Sequence, residues 1–300
     1  MDKTNKISSF LNNDTSYLLG LMIGRGTFNR REDLKQVIID FPFKNLEAEG
    51  YKFKYDTQLY LTNSLDIIIR RLKRIGLDVE KISDEDNKSV SLIIEWNKDD
   101  ISWQFIEYML NEEFTNYHSF RIPKAIFKAD KENEKEFLRG YFDVTGHIRK
   151  SNKAYGNEDQ HRIYLEIDFQ NWFLVVDLCR LLRNLNIPIQ TIDFAHPNFR
   201  DPKAKKKPGF WAKEHQLKIY ANQFLPIGSY LKHKQKVLEN LASYNKSDLG
   251  SKKVKSKIRF KPANPEENSE KLPKFLRGKH FDHFTQLLNY LIRINKKQNG

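Results

Sequence analysis

The 300-residue sequence has one cysteine, Cys179, which excludes an internal disulfide and a cysteine-rich zinc site. Set in an apolar helical stretch, that thiol reads as a small core group. No apolar run reaches the ~20 residues needed to cross a bilayer. The opening stretch MDKTNKISSFLNND lacks the apolar h-region of a secretory signal. The two absences predict an intracellular protein with no membrane partner. Histidines are scattered: His118, His147, His161, His196, His233, His280 and His283 form no metal or HNH-type cluster, and His280 and His283, three apart, read as a surface pair.

What the chain does have is apolar content and positive charge. Hydrophobic residues make up 39%, enough for a full core in one large or two compact units. Lys and Arg number 52 against 39 Asp and Glu, a net charge of +13. Such a surplus concentrates polyanions around the folded surface, so nucleic acid is the first partner to consider.

The sequence also repeats itself. YLLGLMIGRGTF (17–28) and FLRGYFDVTGHI (137–148) match at a shift of 120, pairing Leu18 with Leu138, Gly20 with Gly140 and Gly26 with Gly146. Each reads as an apolar helix closed by a glycine in the left-handed conformation. A strand follows each, IIDF (38–41) against EIDF (166–169), which matches Asp40 with Asp168. Amphipathic helices come next at 65–82 and 176–192, then strands at 90–96 and 215–221. The order helix, strand, strand, helix, strand, strand, helix therefore occurs twice.

In RIYLEIDF, alternation puts Ile163, Leu165, Ile167 and Phe169 on one face and Arg162, Tyr164, Glu166 and Asp168 on the other. One side of the sheet takes a helix layer, and the other stays polar and open. The glycine-ended helices are apolar nearly all round and must be buried. Packing against each other explains Gly20, Gly24, Gly140 and Gly146, which let two backbones approach.

With both motifs and the repeated order in hand, residues 15–245 resemble the LAGLIDADG homing endonucleases, specifically the single-chain type with two repeats. The resemblance implies an α+β fold of two pseudo-symmetric αββαββα repeats, a saddle of antiparallel sheets with paired central helices, lying in a DNA major groove. It divides the chain into a first repeat over 1–120, a second over 121–245, and a basic arm with a C-terminal amphipathic helix over 246–300. In the family, each helix carries an acid at its eighth motif position, and the two carboxylates hold divalent cations. Counted from Leu18 that position is Arg25, and from Leu138 it is Thr145. Both acids are missing. FLPIGSYLKHKQKVLENL (224–241) is similar to the family's segment after the last strand and puts Lys234 where members hold a lysine near the cleavage site.

The replacements change the chemistry. A guanidinium a few ångströms from a divalent ion repels it by about 4 kcal/mol per unit charge at 4 Å and an effective dielectric near 20. Threonine is a neutral, weak ligand. No metal, cofactor or catalytic residue is expected on this reading, and Arg25 is expected to clamp a phosphate directly. The structural rival pairs Arg25 with Asp143 across the helix interface. Asp143, at the sixth motif position, reads as a buried acceptor there, beside Gly20, Gly24 and Gly140.

The reading is a sequence-specific double-stranded DNA-binding protein. Its candidate contacts are Arg25, Arg30, Arg31, Lys150 and Lys234 for phosphates, with Gln36, Arg149, Arg162, Tyr164 and Glu166 for bases. Residues 198–214 add Arg200, Lys203, Lys205, Lys206 and Lys207, and Phe210 and Trp211 there either stack on DNA or anchor their loop. Residues 246–261 carry seven basic residues and one acid and read as a flexible arm or a solvated linker. Two alternatives stay open: a Mg²⁺-dependent endonuclease with relocated acids drawn from Asp143, Asp40 and Asp168 with Lys234, and an RNA-binding intron maturase. Phe281, Phe284, Leu287, Leu288 and Leu291 share a helical face that packs back on the second repeat or binds a protein partner.

Overall fold

The first half begins with helix α1 (Asn13–Arg25), strands β1 (Gly26–Arg30) and β2 (Lys35–Pro42), and a one-turn helix α2 (Phe43–Leu46). Helices α3 (Thr57–Ser64) and α4 (Asp66–Arg74), strands β3 (Asp78–Asp84) and β4 (Ser89–Trp96), and helix α5 (Ile101–Leu110) complete it. The second half runs α6 (Lys131–Thr145), β5 (Gly146–Arg149), β6 (Arg162–Asp168), α7 (Trp172–Asn184), β7 (Thr191–Pro197), β8 (Lys213–Tyr220), α8 (Ala221–Phe224) and α9 (Lys232–Lys246). A tail adds β9 (His280–Phe281) and α10 (Phe284–Gln298). The computed structural model describes residues 10–30, 35–84, 86, 88–97, 100–110, 115–149, 160–197, 213–247 and 272–298.

The fold is α+β, with two antiparallel sheets ordered β1-β2-β4-β3 and β5-β6-β8-β7-β9. In the first, Val37, Ile39, Phe41, Leu92 and Ile94 are fully buried on one face; in the second, Ile163, Leu165, Ile192, Leu217 and Ile219 are. Each such side chain contributes about 1.5–3 kcal/mol relative to exposure. Period-two patterning thus gives each sheet a core side and a polar side.

The central helices start on side-chain caps. Asn12 accepts from the backbone of Asp14 and Thr15, and Asp130 accepts from Asn133 N at 2.8 Å. Their ends differ from the expectation of a left-handed closing glycine. Gly26 and Gly146 are extended, with φ of −83° and −77°. What demands glycine at position 26 is space, because a Cβ would lie 2.6 Å from Met22 O.

The halves differ in one connection. After β6 the chain enters α7 within four residues, whereas after β2 it detours through α2 and residues 47–56 before α3. The detour runs along the second half, where Ala48 bridges Ile148 and Glu49 N donates to Ile148 O at 3.3 Å.

The tail packs back on the second half. Strand β9 extends the sheet at β7, with Ile192 opposite Phe281, and Leu276 and Leu287 are fully buried. The Arg183 guanidinium stands 5.3 Å over the Phe284 ring. Phe281 belongs to the strand rather than to the helix. Among the described residues, no helix is long and apolar enough to cross a membrane.

Candidate nucleic-acid interface

The site grows from the contact between the two central helices. A Cβ on Gly20 would collide with Phe137 O and lie 2.8 Å from Tyr141 N; one on Gly140 would collide with Tyr17 O and lie 3.2 Å from Leu21 N. Gly24 faces the Val144 and Thr145 side chains. The helices therefore meet backbone to backbone and fix their two C-terminal tips as neighbours. Asp143, fully buried, accepts from Tyr17 Oη at 2.7 Å, Tyr230 N at 3.2 Å and Ser229 Oγ. Burial raises its pKa, with Lys234 and these donors opposing.

At the tip of α1, Arg25 is one-fifth exposed. Its Nη2 lies 3.7 Å from Glu166 Oε2 and its guanidinium 5.6 Å from the Tyr117 ring centroid. This corrects the pairing of Arg25 with Asp143: the acid is already saturated inside the interface, and the arginine leaves the helix end toward the second sheet. A cation suits that place, because the helix dipole is negative at its C-terminus.

Glu166 is 3% exposed and collects several partners. His147 Nε2 donates to it, Lys44 Nζ lies at 3.4 Å, and Asn45 Nδ2 donates at 3.2 Å. Burial works against its charge, but His147 and Lys44 hold its carboxyl well below the usual range. Burial in turn pushes His147 down to about 4, so its imidazole is neutral at pH 7. Burial and the Glu166 charge push Glu214 up to about 8, so Glu214 is protonated at neutral pH, while Gln216 Nε2 donates to it at 2.6 Å. Lys44 and Asn45 arrive on the detour after β2. No pattern in the sequence marks them, because the detour has no counterpart in the second repeat.

Lys234 is not at the surface. It is fully buried, and Nζ donates to the carbonyls of Gly146 at 2.9 Å, Asn45 and Phe142 at 3.1 Å, and Asp143 at 3.2 Å. Burial lowers its pKa to about 8. This corrects its placement among phosphate contacts and catalytic lysines, since its protons are taken up by backbone carbonyls at the end of α6 and at Asn45. Thr145, buried beside it, donates Oγ1 to Tyr141 O at 2.7 Å.

The match of Asp40 with Asp168 also changes. Gly26 pairs with Ile39 and Gly146 with Leu165, so the next rungs carry Asp40 and Glu166. Asp168 lies two residues further along. Asp40 accepts from Ser91 Oγ at 2.7 Å, and Asp168 Oδ1 lies 3.1 Å from His118 Nδ1. Burial raises the pKa of the Tyr117 phenol, with the Arg25 guanidinium opposing and the more weakly acting Asp168 and Asp40 adding to it.

The polar face of the second sheet carries Arg149 opposite Arg162, and Tyr164 opposite Lys218. The Tyr164 ring lies between Arg149 at 5.2 Å and Lys218 at 5.7 Å. Lys218, absent from the sequence-derived contacts, was detectable from the alternation in HQLKIYA. Gln36, on the first sheet, is locked between Asn29 at 3.1 Å and Glu95 at 2.8 Å. Arg31, Lys150, Arg200, Lys203, Lys205, Lys206, Lys207, Phe210 and Trp211 lie outside the described residues, as does most of the 246–261 arm.

The family's divalent ion does not fit what stands at the tips. One motif position presents a guanidinium, and the other a buried hydroxyl whose proton goes to Tyr141. Among the described residues no group of three or more His, Cys, Asp or Glu could hold a metal ion.

No protein-family model and no curated protein matches the chain. Among solved structures, it is similar to full-length DUF199/WhiA from Thermatoga maritima, at 14% identity and a TM-score of 0.43, over 80% of this chain and 64% of that one. This chain thus spans under two thirds of that relative's length. It is also similar to mesophilic variants of the homing endonuclease I-DmoI, at 15% identity and a TM-score of 0.36, over 80% of this chain and 99% of that one. I-DmoI solved in complex with DNA and Mn gives 16% identity and a TM-score of 0.34, over 79% and 98%.

Proposed function

We propose that this chain is an intracellular double-stranded DNA-binding protein of LAGLIDADG type that holds duplex without cutting it. On this reading two repeats, 1–120 and 121–245, build the DNA-facing side, and 246–300 is an appended tail. The observation that carries it is Arg25 at a central helix tip, 3.7 Å from Glu166, beside a sheet face bearing Arg149, Arg162 and Lys218. Those cations would neutralise phosphates, and the partly exposed Tyr164 would meet base edges.

Asp40 and Asp168, both on the polar faces of the sheets, are the acids that a second reading would use, a Mg²⁺-dependent endonuclease with relocated acids. One experiment separates the two. The full chain is incubated with random-sequence duplex and Mg²⁺ or Mn²⁺, and the retained DNA is sequenced and examined for breaks. Enriched intact duplex is the expected outcome. Defined ends that vanish in Asp40→Asn or Asp168→Asn establish the second reading, and preference for structured RNA over duplex overturns both.

A further inference from the structure

Strand register assigns every position of the two polar faces, and the faces are not alike. On the first sheet, the rungs away from the core are Asn29, Gln36, Glu95 and Asp78; then Thr27, Ile38, Ile93 and Glu80; then Asp40, Ser91 and Ile82; then Pro42, Ser89 and Asp84. Five acids and three isoleucines stand there, and no Lys or Arg. Asp78, Glu80 and Glu95 are exposed, and Ile82 is 43% exposed. On the second sheet, the corresponding rungs carry Arg149, Arg162 and Tyr220, then His147, Tyr164, Lys218 and Thr191. The four acids on that face have partners: Glu166 has Arg25 and Lys44, Asp193 has Lys218 at 2.6 Å and His280, Asp168 has His118 at 3.1 Å, and Glu214 accepts from Gln216 at 2.6 Å. Asp40 and Glu166 stand on equivalent rungs of the two faces, and on the second Arg149, Tyr164, Lys218 and Tyr220 are partly exposed.

We infer that duplex DNA is gripped on one side only, by the face of the second sheet and the helix tip, while the acidic, isoleucine-bearing face of the first sheet repels it. This deepens the DNA-binding reading and rests on it. Phosphates are drawn to one sheet and pushed from the other, so the pseudo-symmetric frame serves an asymmetric contact. Each of the five strands of the second sheet occupies about 4.8 Å, so the sheet is about 24 Å wide. At 3.4 Å per base pair that covers about seven base pairs, half of what two such sheets would cover.

The test is hydroxyl-radical footprinting of the full chain on duplex recovered from a random pool. The expected result is one protected stretch of about seven base pairs. In the variant Glu80→Lys/Glu95→Lys, at two exposed strand positions, protection is expected to extend and the log affinity against log salt slope to steepen by about two. Circular dichroism checks that the variant keeps its fold. A wild-type footprint of about fourteen base pairs, or an unchanged footprint and salt slope in a folded variant, overturns the inference and leaves the DNA-binding reading standing. Recovery of no duplex at the selection step overturns both.

Discussion

Lys234 Nζ lies 2.9 Å from the carbonyl oxygen of Gly146, inside the molecule and away from solvent. Each central helix thus has a cation at its negative end. Helix α1 carries its own, Arg25, whereas α6 borrows one from α9. The second arrangement is costlier, because an ammonium has been taken out of water and is held by carbonyl dipoles with Asp143 nearby.

The pH dependence follows from the sign of that cost. The pKa of Lys234 falls from 10.5 unfolded to about 8 folded. Between those values the unfolded chain binds the extra proton, so this group makes stability rise with pH from about 8 to 10.5, and the gain is absent below 8. In Lys234→Met the carbonyls of Phe142, Asp143 and Gly146 lose their donor, at a cost of about 1–3 kcal/mol at pH 7. Urea unfolding from pH 7 to 10.5 checks both effects: the deficit of the variant relative to wild type should widen across the upper half of that range.

Close approach of the helices yields a sharper prediction. Gly20→Ala drives a methyl against Phe137 O and Tyr141 N, backbone atoms that do not rotate away, and should cost about 3 kcal/mol or more. Gly24→Ala meets the Val144 side chain instead. Its cost should therefore be smaller and recovered in part by Val144→Ala. Thermal unfolding of the two variants and the double variant measures the difference, and partial recovery in the Gly24 pair alone is the expected pattern.

The glycine motifs, the repeated element order and the core-facing alternation were legible because each depends on residues near in sequence. Three features were not. String similarity matched IIDF with EIDF and so Asp40 with Asp168, but equivalence is set by where each helix hands over to its strand, at Gly26 and Gly146, which makes Glu166 the counterpart of Asp40. Lys234 looks like any surface lysine in LKHKQK, since its burial depends on carbonyls 88 and more residues away. The acidity of the first polar face was spelled out in residues 78–95, yet the charge of the whole chain and the likeness between repeats concealed it. Net charge says how much, and register says where.

The docked tail should respond to pH. The His280 imidazole, hydrogen-bonded to Asp193 and near Asp282, has its pKa raised, chiefly by Asp193. A raised folded pKa means that the contribution is complete below the unfolded value of 6.5 and is lost as pH rises through the folded one. Amide exchange in 280–291, corrected for intrinsic rates, should therefore speed up between pH 6 and pH 8.5. His280→Ala should exchange fast at both values. Equal protection of the wild-type tail at the two pH values would mean that its apolar anchors, Leu276 and Leu287, hold it unaided.

Arg25 separates the effect of removing a charge from that of placing an acid at the same tip. In Arg25→Ala, Glu166 keeps Lys44, Asn45 and His147, so stability should change by under about 1 kcal/mol, as for a partly exposed pair. In Arg25→Asp, a carboxylate takes the arginine's place against both the negative end of α1 and the Glu166 charge. Those two repulsions add, so the cost should exceed that of the alanine variant by about 1 kcal/mol or more. The excess is purely electrostatic and must vanish once the new carboxyl is protonated, so unfolding curves of the two variants should converge as pH falls below about 4. If they stay apart there, the aspartate is disturbing packing, and a carboxylate at this tip is excluded by shape. If they converge, charge alone decides what the tip of α1 accepts: the negative helix end and Glu166 reject an acid there and hold a cation.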